Sequence, residues 1–166
     1  MSKNLHDGEI VILSPKSGQF KPKLESLGVR ILVDNDLNSA ISKLDNKISC
    51  CICNTIMSCH HVLEMINRQI PVLWILHEWW DDEMIEENFR MRNIKHINLE
   101  TVKTALTRAS RTIFVCEAQR NLYKTNLGAG ESSVIFVGVA DPFNTSTVDV
   151  HAPLVEKRFV SSSLFL

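Results

Sequence analysis

Short apolar runs alternate with amphipathic stretches along most of the chain. The runs are 9–13 (EIVIL), 29–33 (VRILV), 48–53 (ISCCIC), 71–77 (PVLWILH), 112–116 (TIFVC) and 133–137 (SVIFV). Each is short, β-branched or near-continuously apolar, and bounded by turn residues, which predicts strands buried in a sheet. Between them lie stretches of helical spacing. In 19–28 Phe20, Leu24 and Leu27 share one face and Gly28 closes the turn. Asp36 is placed to cap a helix carrying Leu37, Ile41 and Leu44. Further helices are expected after Asn54 and Thr55 to about Gln69, over 99–110 and over 117–128. Strand followed by helix, repeated, predicts an α/β fold: a Rossmann-like, doubly wound parallel sheet of about six strands. Residues 1–143 are expected to form that domain, and 144–166 a linker and the start of a second, truncated one.

Composition narrows the picture. The chain has 166 residues, is 45% hydrophobic and carries a formal net charge of −1. Its basic residues are scattered, so no nucleic-acid partner is expected. No apolar run approaches the roughly 20 residues that span a bilayer, although peripheral membrane contact stays open. The N-terminus is polar and unlike a signal peptide. Four of the five cysteines, Cys50, Cys51, Cys53 and Cys59, crowd one region. On a strand Cys50 and Cys53 point to opposite faces, so these read as small core hydrophobes in a reducing, cytoplasmic setting rather than metal ligands. His60 and His61 are adjacent on a helix, an arrangement unsuited to a joint metal site. The acidic stretch 81–88 reads as a solvated face.

In open α/β sheets ligands bind outside the carboxyl ends of the strands. The sequence puts Ser14, Asn54, Thr55, His77, Glu78, Glu117 and Gly138 there. His77 stands out, because a central apolar strand ends on it and an imidazole can donate, accept or bear charge near neutrality. The competing reading is a histidine bonded to neighbouring backbone for structure alone. Trp79 and Trp80 follow, either as a stacking wall for a sugar or as one packed and one exposed indole. Phosphate-loop, dinucleotide and hydrolase-elbow signatures are missing.

Four segments in order, SPKSGQFKPKLESLGVRILVD, CNTIMSCHHVLEMINRQIPVLWILHE, ALTRASRTIFVCEAQRNLY and SVIFVGVADPF, resemble the N-terminal domain of glycosyltransferase family 4, the group 1 type. The resemblance covers about residues 9–143. It departs from the family pattern at Cys116, where a serine is usual, and in FVGVADPF, which lacks the asparagine of N-G-V-D. It implies one incomplete half of a B-type, two-domain enzyme that moves a sugar from a nucleotide-sugar to an acceptor, with retention of configuration. It implies no metal and no cofactor beyond the donor substrate. By resemblance His77 stands beside the transferred sugar. Asn54 and Thr55 lie on the acceptor side, and Glu78, Glu117, Arg120 and Gly138 shape the cleft. The family's first strand and its donor-binding C-terminal domain have no counterpart in the motifs found, so activity is expected to need a C-terminal domain or partner chain. The alternative is a non-catalytic Rossmann-like binding module derived from such an enzyme.

Overall fold

A computed structural model describes residues 9–44 and 48–135, and the backbone of 159–162. The elements run β1 (Val11–Ser14), α1 (Lys21–Ser26), β2 (Arg30–Val33), α2 (Leu37–Ser42) and β3 (Cys50–Asn54). A 3-10 turn (Ile56–Ser58) leads into α3 (Cys59–Asn67), followed by β4 (Val72–Leu76), α4 (Asp82–Met91), α5 (Leu99–Arg108) and β5 (Arg111–Phe114). The chain continues with α6 (Glu117–Leu127), β6 (Ser132–Val134) and β7 (Phe159–Ser162). The class is α/β with a Rossmann-like parallel sheet, as the alternating pattern predicted.

β1 and β2 form one parallel pair, β3 to β6 a parallel set of four, and β7 joins them. The order is β2-β1-β7-β3-β4-β5-β6, every pairing being parallel. Val160 stands opposite Val11 on one side and Cys51 on the other. The stretch expected to open a second domain thus contributes Phe159–Ser162 to the middle of this sheet. Counting β7 first turns the order into 3-2-1-4-5-6-7, the doubly wound order with one strand added. The topological switch point falls beside β7, between the carboxyl ends of β1 and β3.

The strands are asymmetric in burial. In β4 Val72, Trp74 and Leu76 are fully buried, while Leu73 and Ile75 on the other face are only partly covered. This is period-2 packing on a sheet whose two faces are unequally sealed, rather than the two-sided burial the apolar run suggests. The core joins these residues to Val62 and Met65 of α3, Val102, Ala105 and Leu106 of α5, Phe114 of β5, and Tyr123 and Leu127 of α6.

Local chemistry sets the helix ends. Asp36 accepts from the Asn38 amide and caps α2 as its spacing predicts. Gly28 (φ +80°) and Gly128 (φ +69°) turn the chain in the left-handed region after α1 and α6, where a side chain is strained. The acidic stretch is itself a helix, α4. Asp81 caps it through the Met84 amide, and Asp82 and Glu83 in its first turn suit the dipole. Only Ile85 and Phe89, four residues apart, are buried on it, which is too narrow an apolar stripe to stand out in a charged sequence.

Candidate functional site

The carboxyl ends of β3 and β4 are neighbours because Asn54 pairs with Ile75 in the ladder. This register brings the Asn54 side chain to His77, one residue past β4. His77 Nε2 lies 2.8 Å from Asn54 Oδ1, which also accepts the Thr55 amide at 3.1 Å. An amide oxygen has no proton to give, so Nε2 carries the hydrogen and donates. In the neutral ring this leaves a lone pair on Nδ1, the free acceptor of an exposed imidazole. The His77 amide donates to Glu78 Oε2 at 3.2 Å.

Beneath this pair the main chain is pinned. The Glu78 carbonyl accepts from Gln119 Nε2 at 2.7 Å and from the Tyr123 hydroxyl at 2.9 Å. Gln119 also reaches the Leu76 carbonyl at 3.3 Å and takes the Val115 amide at 2.9 Å on its own oxygen. Burial, partly offset by the Trp80 backbone, pushes the Tyr123 phenol above its ordinary range, so it stays a donor. Thr55, next to Asn54, has φ +68° and ψ +157°, a region populated almost only by glycine. Its hydroxyl is buried without a partner. Its carbonyl is held by Trp74 Nε1 and Ser58 Oγ, each at 2.8 Å. A β-branched residue in that conformation costs on the order of 1–3 kcal/mol, and such strain collects at functional edges.

Four of the expected site residues, Asn54, Thr55, His77 and Glu78, thus meet. Glu117 and Arg120 sit in the first turn of α6 and pair with each other at 2.5 Å. Among the described residues neither bonds to the His77 group. Gly138 lies outside the described residues. Trp80 packs on the core and lies under the Arg92 guanidinium, 6.0 Å from its ring centre, whereas Trp79, two residues past His77 in sequence, is 47% exposed.

A second group was not legible as one. His60 and His61, in the first turn of α3, have ring centres 3.9 Å apart, and His96 stands 5.2 Å from His60. Helical spacing separates adjacent residues by direction, but at this helix start both rings reach the same cavity, near the ends of β1 and β2. Burial, then repulsion from His60 and His96, lowers the His61 imidazole to about 4. Burial and His96 lower His60, with the Met57 backbone opposing.

Both rings are therefore held neutral in the folded chain, while unfolded they take up protons near pH 6.5. Below that pH the unfolded state binds more protons, so stability falls as pH drops and levels off near pH 4. We expect a loss of about 2 kcal/mol over that window, read from urea midpoints, and a shallower fall in His61→Gln. The Asp34 carboxyl, held low by Lys43, the Asp36 amide and Ser39, contributes its slope only below the ordinary carboxylate range.

The cysteines at β3 and α3 are thiols, none in a disulfide. Cys51 and Cys53 share a face with sulfurs 3.7 Å apart. That contact and burial push the Cys51 thiol up, and burial takes Cys59 to about 12, so both stay protonated. Among the described residues no three His, Cys, Asp or Glu side chains are arranged to hold a metal ion, and no helix is long and apolar enough to cross a membrane.

No family model, no curated protein and no solved structure matches this chain.

Proposed function

We propose that the chain forms the acceptor-side half of a sugar-transfer site of the glycosyltransferase family 4 kind. It would act on a nucleotide-sugar together with a donor-binding domain. The observation that carries this reading is the His77–Asn54 pair at the carboxyl end of the central strands, beside strained Thr55. Asn54 fixes the ring so that Nδ1 accepts from a sugar hydroxyl. Trp79 offers an exposed aromatic face on which a pyranose ring stacks. Positive charge develops on the sugar as the bond to the leaving phosphate stretches. A hydroxyl held by His77 stabilises that charge, and it accelerates transfer only as far as its bond tightens in the transition state. Glu117 and Arg120 then border the cleft from α6.

The test presents UDP-glucose and GDP-mannose to the chain, alone and mixed with a family 4 donor-binding domain, and follows sugar release and transfer. We expect His77→Ala to slow transfer by about 10²-fold, the scale for removing one preorganised group. Transfer at an unchanged rate in that variant removes His77 from the chemistry. If saturation-transfer NMR shows neither nucleotide-sugar nor sugar on the chain in any mixture, the binding-module reading replaces this one.

A further inference from the structure

The cavity beside α3 has a volume of about 180 Å³ and is lined by Ser14, Asp34, Asn35, His60, His61 and His96 among others. That is more than ten times the roughly 10–15 Å³ a single water needs on this measure. His77 does not line it. Three imidazoles converge on it from two elements, the first turn of α3 and the loop before α5. His60 Nδ1 and His61 Nδ1 are both buried without a hydrogen-bond partner.

We propose that this cavity binds the phosphate dianion of a small phosphorylated molecule. Imidazoles there supply N–H donors, and each becomes a cation if the ligand draws a proton onto it. The helix adds its positive end, since the cavity lies at the first turn of a nine-residue helix. A carboxylate in the lining would ordinarily repel an anion. Here Asp34 is spoken for: Lys43 Nζ sits 2.6 Å from its Oδ2, Ser39 Oγ donates to the same oxygen at 2.7 Å, and the Asp36 amide donates to Oδ1 at 2.9 Å. Asp34 and the three histidines are the titratable groups among the described lining residues.

A metal is disfavoured, since among the described residues no three His, Cys, Asp or Glu side chains are arranged to hold one. A dianion is favoured over a carboxylate because two neighbouring imidazolium charges repel unless two negative charges sit between them. The second phosphate ionisation, at about 6, falls in the same range as histidine. Burial first, and repulsion among the rings second, keep them neutral, and a bound dianion offsets both. Binding therefore takes up protons.

The experiment titrates the whole chain with inorganic phosphate, methyl phosphate and glucose 6-phosphate, at pH 6 and pH 8, by ³¹P NMR and calorimetry. We expect saturable binding at least about tenfold tighter at pH 6 than at pH 8, with proton uptake on binding, as linkage between ligand and protons requires. Methyl phosphate and glucose 6-phosphate matching or exceeding inorganic phosphate identifies a phosphorylated organic ligand; inorganic phosphate alone binding identifies the free ion and overturns the organic part. His96→Gln, at an exposed position, and the double variant His60→Gln/His61→Gln keep donors without the charge. They should lose the pH dependence and weaken binding at pH 6 by about tenfold or more. Binding unchanged in both variants, no binding at 10 mM ligand (~ the millimolar end of the affinity scale), or stoichiometric zinc uptake that phosphate does not affect each overturns the proposal. The measurement is repeated in His77→Ala, so that failure of sugar transfer and failure of phosphate binding are read separately.

Discussion

Trp74→Ala should be the most damaging single substitution in the described core, costing about 3–5 kcal/mol in urea denaturation. Trp74 lies in the middle of β4, fully buried and among the largest fully buried side chains. Its removal opens a cavity in a sheet flanked by α3 and α5, which are fixed by their own packing and cannot close the space. A polar loss adds to this. The indole N–H donates to the Thr55 carbonyl at 2.8 Å, and once the indole is gone that carbonyl keeps Ser58 Oγ at 2.8 Å and the longer Ser58 amide bond at 3.3 Å. Thr55 holds its glycine-like conformation because both ends of the peptide are gripped, its amide by the Asn54 side chain and by the Ile75 carbonyl at 2.9 Å. Loosening the carbonyl lets the strained backbone relax and swings Asn54 away from His77. Trp74→Phe separates the two effects: most of the apolar bulk survives, so a cost nearer 1–2 kcal/mol is expected. A Trp74→Ala loss below about 2 kcal/mol shows that the sheet can collapse around the gap and that β4 is not the mechanical centre of the site.

Sequence pattern carried most of this architecture because each β–α unit is locally encoded. Apolar runs of five to seven residues are too short for helices, and Asp36 and Gly28 mark ends by side-chain and backbone chemistry that acts within a few residues. The edge bearing His77 was readable for the same reason: an apolar run must end somewhere, and in a parallel sheet it ends at the ligand crevice. The bond from His77 to Asn54, 23 residues away in sequence, needed the ladder register. Nothing local announces that β7 slots between β1 and β3, since the pairing joins residues such as Val11 and Val160 from opposite ends of the chain. α4 was hidden by its charge, and the histidine cluster by a rule about helix faces that ignores ring reach at a helix start. Gln119 carried no signal at all: a glutamine in a polar helical stretch looks solvated until its fully buried position is known.

Gln119 is the second place where a large effect is expected. Replacement by leucine preserves volume but removes one acceptor and the donor shared by two carbonyls. The Val115 amide and the Leu76 carbonyl lose a partner, and the Glu78 carbonyl keeps only Tyr123. Each buried backbone group left unsatisfied costs about 1–3 kcal/mol, so a total near 3 kcal/mol is expected, well above a typical surface change. The structural consequence is specific. Gln119 ties the carboxyl end of β4 to the segment leaving β5, which fixes the direction in which the chain delivers His77. Gln119→Leu should therefore broaden or shift the His77 imidazole ¹⁵N resonances even where the protein remains folded, whereas Tyr123→Phe alone, costing about 1 kcal/mol, should leave them nearly in place. Because both side chains converge on one carbonyl oxygen, the double variant should be non-additive by about 0.5 kcal/mol or more. Strict additivity, or unchanged His77 resonances in Gln119→Leu, means that the Glu78 carbonyl is not what orients His77, leaving that role to the Asn54 side chain on the ring and the Glu78 carboxylate on the amide.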